Sequence, residues 1–298
     1  MEHFGLVLSG GGAKGAYQIG VWKAMKELRF CEEITGISGA SIGALNGALF
    51  ASGDLKKAEE AWGEVTPLTV LDPDLKKIDG VEGFAGREGM LDLMEKYVDF
   101  GKLQNYPYSI YCSVARLMQE QYFCEYKKLN HESKERIEQV LTASSALPVV
   151  YEAVMMDGYL YRDGGLCDNV PIRPLYEEGY RRFLVIGMDK KQAEAQNDFK
   201  DAEFITVVPE YSLGDLEATI DFTQDFIRYC MKLGYRDGIR ILSAYCNHDR
   251  TEEQQKMQAE IDHHQVLAEL KMEKIEKEAN RSMDNINKLL GKYGIDGV

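Results

Sequence analysis

Short, unbroken apolar runs alternate with amphipathic stretches along most of this chain. Phe4, Leu6, Val7 and Leu8 form the first run, which leads straight into Ser9-Gly10-Gly11-Gly12-Ala13-Lys14-Gly15. Over 16–28, Ile19, Val21, Trp22, Met25 and Leu28 supply a largely apolar face, and that spacing predicts a helix. A second strand is predicted to end over 33–38, with a buried, small-residue helix over 44–51 and a helix with an acidic, solvated face over 52–66. Residues 67–90 read as irregular, with Pro67, Pro73, Gly80, Gly83, Gly86 and Gly89, and would serve as a lid over an apolar site or as an ordinary connection. A helix is expected over 90–98, then two strands over 108–115 and 121–126, paired as a hairpin across 116–120.

The same alternation continues with a helix over 132–143, a short strand over 159–162 and a tight turn at Asp163-Gly164-Gly165. A helix over 171–180 and buried strands over 183–188 and 204–209, with a polar loop between them, complete the pattern. Strands separated by helices indicate an α/β domain. From 215 onward the pattern is helical, and over 251–290 apolar residues such as Met257, Ile261, Leu267, Leu270 and Ile275 recur at helical spacing among dense charge. We therefore expect an α/β domain over 1–212 and a helical extension over 213–298 packed on it, with a partner or membrane contact as the sharper alternative for the last helices.

Composition narrows the function classes. The chain has 35 basic and 49 acidic residues, a net charge of −14. Such a chain is a poor nucleic-acid binder and is repelled by anionic lipid, so any transient membrane contact should be local and apolar. Cys31, Cys112, Cys124, Cys167, Cys230 and Cys246 are scattered, a spacing that supports neither zinc nor a redox motif. No apolar run approaches a membrane span, and the N-terminal residues lack a basic leader region. These features lead us to expect a cytoplasmic protein with reduced thiols.

Gly39-Ala40-Ser41-Ile42-Gly43 fits the G-x-S-x-G pattern, in which a serine sits on a sharp strand-to-helix turn. Glycines two before and two after remove Cβ clashes from that turn. A hydroxyl there lies at a helix N-terminus, where the dipole favours developing negative charge. The earlier glycine loop has two readings. Gly10, Gly12 and Gly15 satisfy G-x-G-x-x-G, but the acidic residue of a dinucleotide site would have to be Glu32 or Glu33, which precede Ile34 rather than end a second strand. Alternatively, Gly10, Gly11 and Gly12 present backbone amides to an oxyanion, with the charge of Lys14 nearby. The second reading uses both motifs.

Taken in order, Gly10-Gly11-Gly12-Ala13-Lys14-Gly15, Gly39-Ala40-Ser41-Ile42-Gly43, Ala143-Ser144-Ser145-Ala146-Leu147-Pro148 and Asp163-Gly164-Gly165 resemble the patatin-like phospholipase family. The resemblance spans roughly 4–210, and Leu233-Gly234-Tyr235 is similar to a tail common in bacterial members. It implies a three-layer α/β/α fold with a mainly parallel central sheet, and acyl-ester hydrolysis by a Ser–Asp dyad with no metal or organic cofactor. Ser41 is then the nucleophile, Asp163 its partner, and Gly10, Gly11 and Gly12 the oxyanion hole. Lys14, Gly39, Gly43, Gly164 and Gly165 support it, and the substrate is a lipid or other acyl ester. A free aspartate is a poor base, so Asp163 is expected to be desolvated beside Ser41. Two rivals remain: a Ser41–His248–Asp163 esterase, and a non-catalytic nucleotide-binding or scaffold protein that keeps the fold.

Overall fold

A computed structural model describes residues 3–71 and 85–246 of the chain. They belong to a compact unit that runs from Met1 to Arg250. The amphipathic pattern over 251–290, His248 and the middle of the 67–90 stretch lie outside the described residues.

The apolar runs pair as the core of one sheet. β1 (Phe4–Leu8), β2 (Ile34–Ala40) and β7 (Arg182–Ile186) lie side by side and parallel, with β8 (Glu203–Val207) beyond β7. Every residue of β1 and β2 is buried, as expected for parallel strands covered on both faces. β3 (Ile110–Met118) lies parallel to β2, and β4 (Gln121–Lys128), β5 (Val154–Met156) and β6 (Tyr159–Asp163) add antiparallel pairings. Among the described residues the sheet has eight strands, in the order β5-β6-β3-β2-β1-β7-β8 with β4 also on β3.

Alternate residues of the strands face two helical layers. On one face, Leu6, Leu8 and Ile186 meet Ile19, Trp22 and Met25 of α1 (Ala16–Glu27) and Phe50 of α2 (Ile42–Ser52). On the other, Val7, Phe183 and Val185 pack with Ile172, Leu175 and Phe199. The remaining helices are α3 (Leu55–Glu64), α4 (Pro67–Leu71), α5 (Glu88–Tyr97), α6 (Phe100–Gln104), α7 (Lys134–Ser144), α8 (Arg173–Glu177), α9 (Leu216–Thr219) and α10 (Gln224–Cys246). α10 runs against α1 at very short range. A Cβ on Gly20 would overlap the Met231 carbonyl, and one on Gly234 the Tyr17 carbonyl.

The register on β3 places the site. β4 pairs with β3 from Tyr111 to Met118, so β2 and β6 share its other edge. β2 runs parallel to β3 and ends with Ala40 opposite Ser113; β6 runs antiparallel and ends with Asp163 opposite Val114. The two strands therefore stop head to head on consecutive residues of β3. Ser41 and Asp163, far apart in sequence, meet at that junction.

Three expectations are corrected. The hairpin turn is shorter than 116–120: β3 continues to Met118, and only Gln119 and Glu120 turn, at φ 51° and 62°. Paired positive φ angles match the twist of the flanking strands, and the Arg116–Glu125 ion pair (2.9 Å) braces the two strands diagonally. The helix expected over 171–180 is limited to α8, with Pro174 in its first turn. Lastly, not all thiols are reduced: Cys124 on β4 and Cys167 beyond Asp163 form a disulfide, with Cα atoms 5.3 Å apart. Their separation of 43 residues carries no motif, because the β3–β4 and β3–β6 pairings bring them together.

Candidate active site

Ser41 caps α2 with φ 54° and ψ −126°, a conformation that costs a non-glycine residue energy and recurs at functional turns. The flanking glycines permit it. A Cβ on Gly39 would come within 2.5 Å of the Gly43 backbone, and one on Gly43 would overlap the Leu8 carbonyl. The Ser41 amide donates to Ser144 Oγ (3.0 Å), and Ser144 Oγ donates to the Ser113 carbonyl (2.8 Å). A fully buried hydroxyl thus ties the elbow to β3.

Ser41 Oγ donates to Asp163 Oδ2 at 2.6 Å. The other carboxylate oxygen accepts from the Gly165 amide (2.7 Å), and the Asp163 amide donates to the Ala146 carbonyl (3.0 Å). Asp163 is only 4% exposed. Burial pushes its carboxyl up from 3.8 to about 6, and the hydrogen bonds from Ser41 and Gly165 offset part of that rise. Gly164 is packed where a Cβ would overlap the Ser113 carbonyl, so the turn after Asp163 lies flat on β3.

The glycine loop lies against Ser41. A Cβ on Gly10 would come within 3.1 Å of Ser41 Cβ. Gly12 takes φ 57° and heads a 3₁₀ turn (Gly12–Gly15) that leads into α1. The Gly10 amide already donates to the Asn169 carbonyl (3.3 Å), which leaves the Gly11 and Gly12 amides without an acceptor among the described residues. Lys14 lines the pocket, but its ammonium donates to the Gly214 carbonyl (2.7 Å) and so tethers the 214 loop.

Asn169 and Ser144 are the side chains whose roles sequence reading missed. Asn169 Nδ2 approaches the Gly10 carbonyl (3.4 Å), and its Oδ1 fills the space beside Gly10 and Gly165. It links the Asp163 turn to the glycine loop. Six residues beyond Asp163, it belongs to no recognisable motif. Ser144 stood in a quoted motif, but only the tertiary contact reveals its partner.

Ser41, Asp163 and the glycine loop form one wall of a cavity of about 440 Å³, within the range of small-ligand sites. Leu45, Leu49, Trp62, Leu93, Met94 and Val150 make its character apolar. No histidine among the described residues lines it, and no acidic, histidine or cysteine cluster there could hold a metal.

A family model for patatin-like phospholipase matches residues 6–176. The chain belongs to the patatin-like phospholipase family. It is 27% identical over 216 residues to Lysophospholipase NTE1 of Cryptococcus neoformans, a match covering 67% of this chain and 12% of that protein. It is 29% identical over 201 residues to an uncharacterised NTE family protein of Mycobacterium tuberculosis, covering 66% of this chain and 51% of the other. The chain thus spans an eighth to a half of the length of these curated relatives. Likenesses among solved structures are distant. VipD from Legionella pneumophila gives a TM-score of 0.49 at 17% identity, over 97% of this chain and 80% of that one. ExoU, in its complex with SpcU from Pseudomonas aeruginosa, gives 0.43 at 16%, over 97% and 63%. The ordered motifs read from the sequence and the family model agree on the same part of the chain.

Proposed function

We propose that this chain is a serine acyl-ester hydrolase acting on lipids, of phospholipase A or lysophospholipase type, with Ser41 and Asp163 as its dyad. The observation that carries this reading is the 2.6 Å hydrogen bond from Ser41 Oγ to a buried carboxylate on the wall of an apolar cavity. The strained elbow and the family assignment support it. Ser41 Oγ attacks the ester carbonyl while its proton passes to Asp163. The oxyanion faces the amides of Gly11 and Gly12, each worth roughly 3 kcal/mol of barrier reduction in such a site. Asp163 returns the proton to the departing alkoxide, leaving an acyl-enzyme on Ser41. Water then attacks that ester, gives its proton to Asp163, and the fatty acid leaves as Ser41 is reprotonated. Local, apolar contact with a lipid surface belongs to this reading: Leu166 and Ile220 line the cavity yet are 41% and 45% exposed.

The test is hydrolysis of a short-chain p-nitrophenyl ester by wild type, Ser41→Ala and Asp163→Asn, with folding followed by circular dichroism. We expect both variants to fold and to lose about three orders of magnitude or more in kcat. Substantial activity in folded Ser41→Ala would place the chemistry elsewhere.

A further inference from the structure

The cavity beside Ser41 has a direction. Ser41, Leu45 and Leu49 all line it, and their four-residue spacing keeps them on one face of α2. At 1.5 Å per residue, the stretch from Ser41 to Leu49 covers about 12 Å of helix axis. Leu93 and Met94 of α5, with Val98 just beyond it, line the same cavity. The two ends differ. Leu49, Met94 and Val98 are at most 8% exposed, whereas Leu166 and Ile220 by the dyad are open to solvent. Polar groups along this wall are already paired. Asn46 Nδ2 donates to the Gly15 carbonyl (3.0 Å) and to Gln18 Oε1 (2.8 Å), and Asn46 Oδ1 accepts from Trp62 Nε1 (3.0 Å).

We infer that the arm along α2 is the acyl-chain track and that its closed end, Leu49 and Val98, selects acyl esters of medium chain length. The inference rests on the hydrolase reading above, which puts the ester carbonyl at Ser41. An extended alkyl chain advances about 1.3 Å per methylene, so about 12 Å of track holds roughly ten carbons. A chain of that length fills the arm, and further carbons meet the end wall. Leu45, midway along the stripe, touches every chain that enters.

The experiment is kcat/KM of the full chain for p-nitrophenyl esters from C4 to C16, for wild type, Leu45→Phe and Leu49→Ala. Wild type should rise by up to about fourfold per methylene as each carbon is buried, and level off near C10 to C12. Leu45→Phe, which narrows the track, should lower the ratio of C10 to C4 rates by at least about tenfold. Leu49→Ala should carry the plateau two to three carbons further, about the space that the lost isopropyl group vacates. If Leu45→Phe fails to fold, the truncation at Leu49 decides. A flat wild-type profile, or a plateau that Leu49→Ala does not move, overturns the inference while leaving the hydrolase reading intact. A wild type that cleaves none of the esters overturns both.

Discussion

The proposed mechanism sets Asp163 two opposed demands. As a base it must ionise, and as a buried group it resists ionisation. Burial sets its pKa at about 6, near enough to neutrality for a useful base. We expect kcat/KM to fall as pH drops through about 6, with full activity above pH 7; an unchanged rate at pH 5 would argue against Asp163 as the base. The same shift has a cost in stability. The folded state holds the Asp163 proton up to about pH 6, whereas the unfolded chain releases it near 4. The stabilisation from the neutral carboxyl is therefore present below pH 4 and lost as pH rises through 6. Asp163→Asn, neutral at every pH, should unfold later than wild type at pH 8, by about 1–3 kcal/mol. That advantage should disappear by pH 4, as urea melts at the two pH values would show.

At the scale of elements, α1 and α10 matter because α1 begins at the end of the glycine loop. Their axes approach closely enough that Gly20 and Gly234 each abut a carbonyl of the opposite helix. Beside this contact Asp237, fully buried, accepts from Tyr17 Oη (3.1 Å), the Glu210 amide (3.1 Å) and Arg236 Nη2 (2.8 Å). This network holds the first turn of α1 to α10 and to the segment that follows β8. Gly234→Ala must push the helices apart, and we expect a loss of about 3 kcal/mol or more, read as a lowered thermal midpoint. Gly63→Ala is a control, because a Cβ there meets nothing within 4 Å, and should change stability by less than about 1 kcal/mol.

For the whole molecule, charge and cross-linking set the behaviour. A net charge of −14 repels anionic surfaces, so any lipid contact should rest on apolar groups. Co-sedimentation should be stronger with zwitterionic than with anionic vesicles at low salt, and the gap should narrow as salt screens the charge. The Cys124–Cys167 bond closes a loop of 43 residues that includes Asp163. Reduction should lower stability by about 2–4 kcal/mol, and Cys167→Ser should make the melt insensitive to reductant.

Local chemistry was enough to determine much of this protein. Continuous apolar runs specify buried parallel strands, because such strands are covered on both faces. Glycines flanking Ser41 mark a strained elbow, because few other residues could pass through it. The set of motifs in order sufficed to name the family. Tertiary structure alone decided the rest, since it depends on which strand edges pair. Sequence spacing does not reveal that β2 and β6 end on consecutive residues of β3, yet this register brings Ser41 to Asp163. Nor does it reveal that Asn169 takes the Gly10 amide, that Ser144 holds the elbow, or that Cys124 meets Cys167. Each of these contacts joins residues distant in sequence, and local propensity carries no record of such partners.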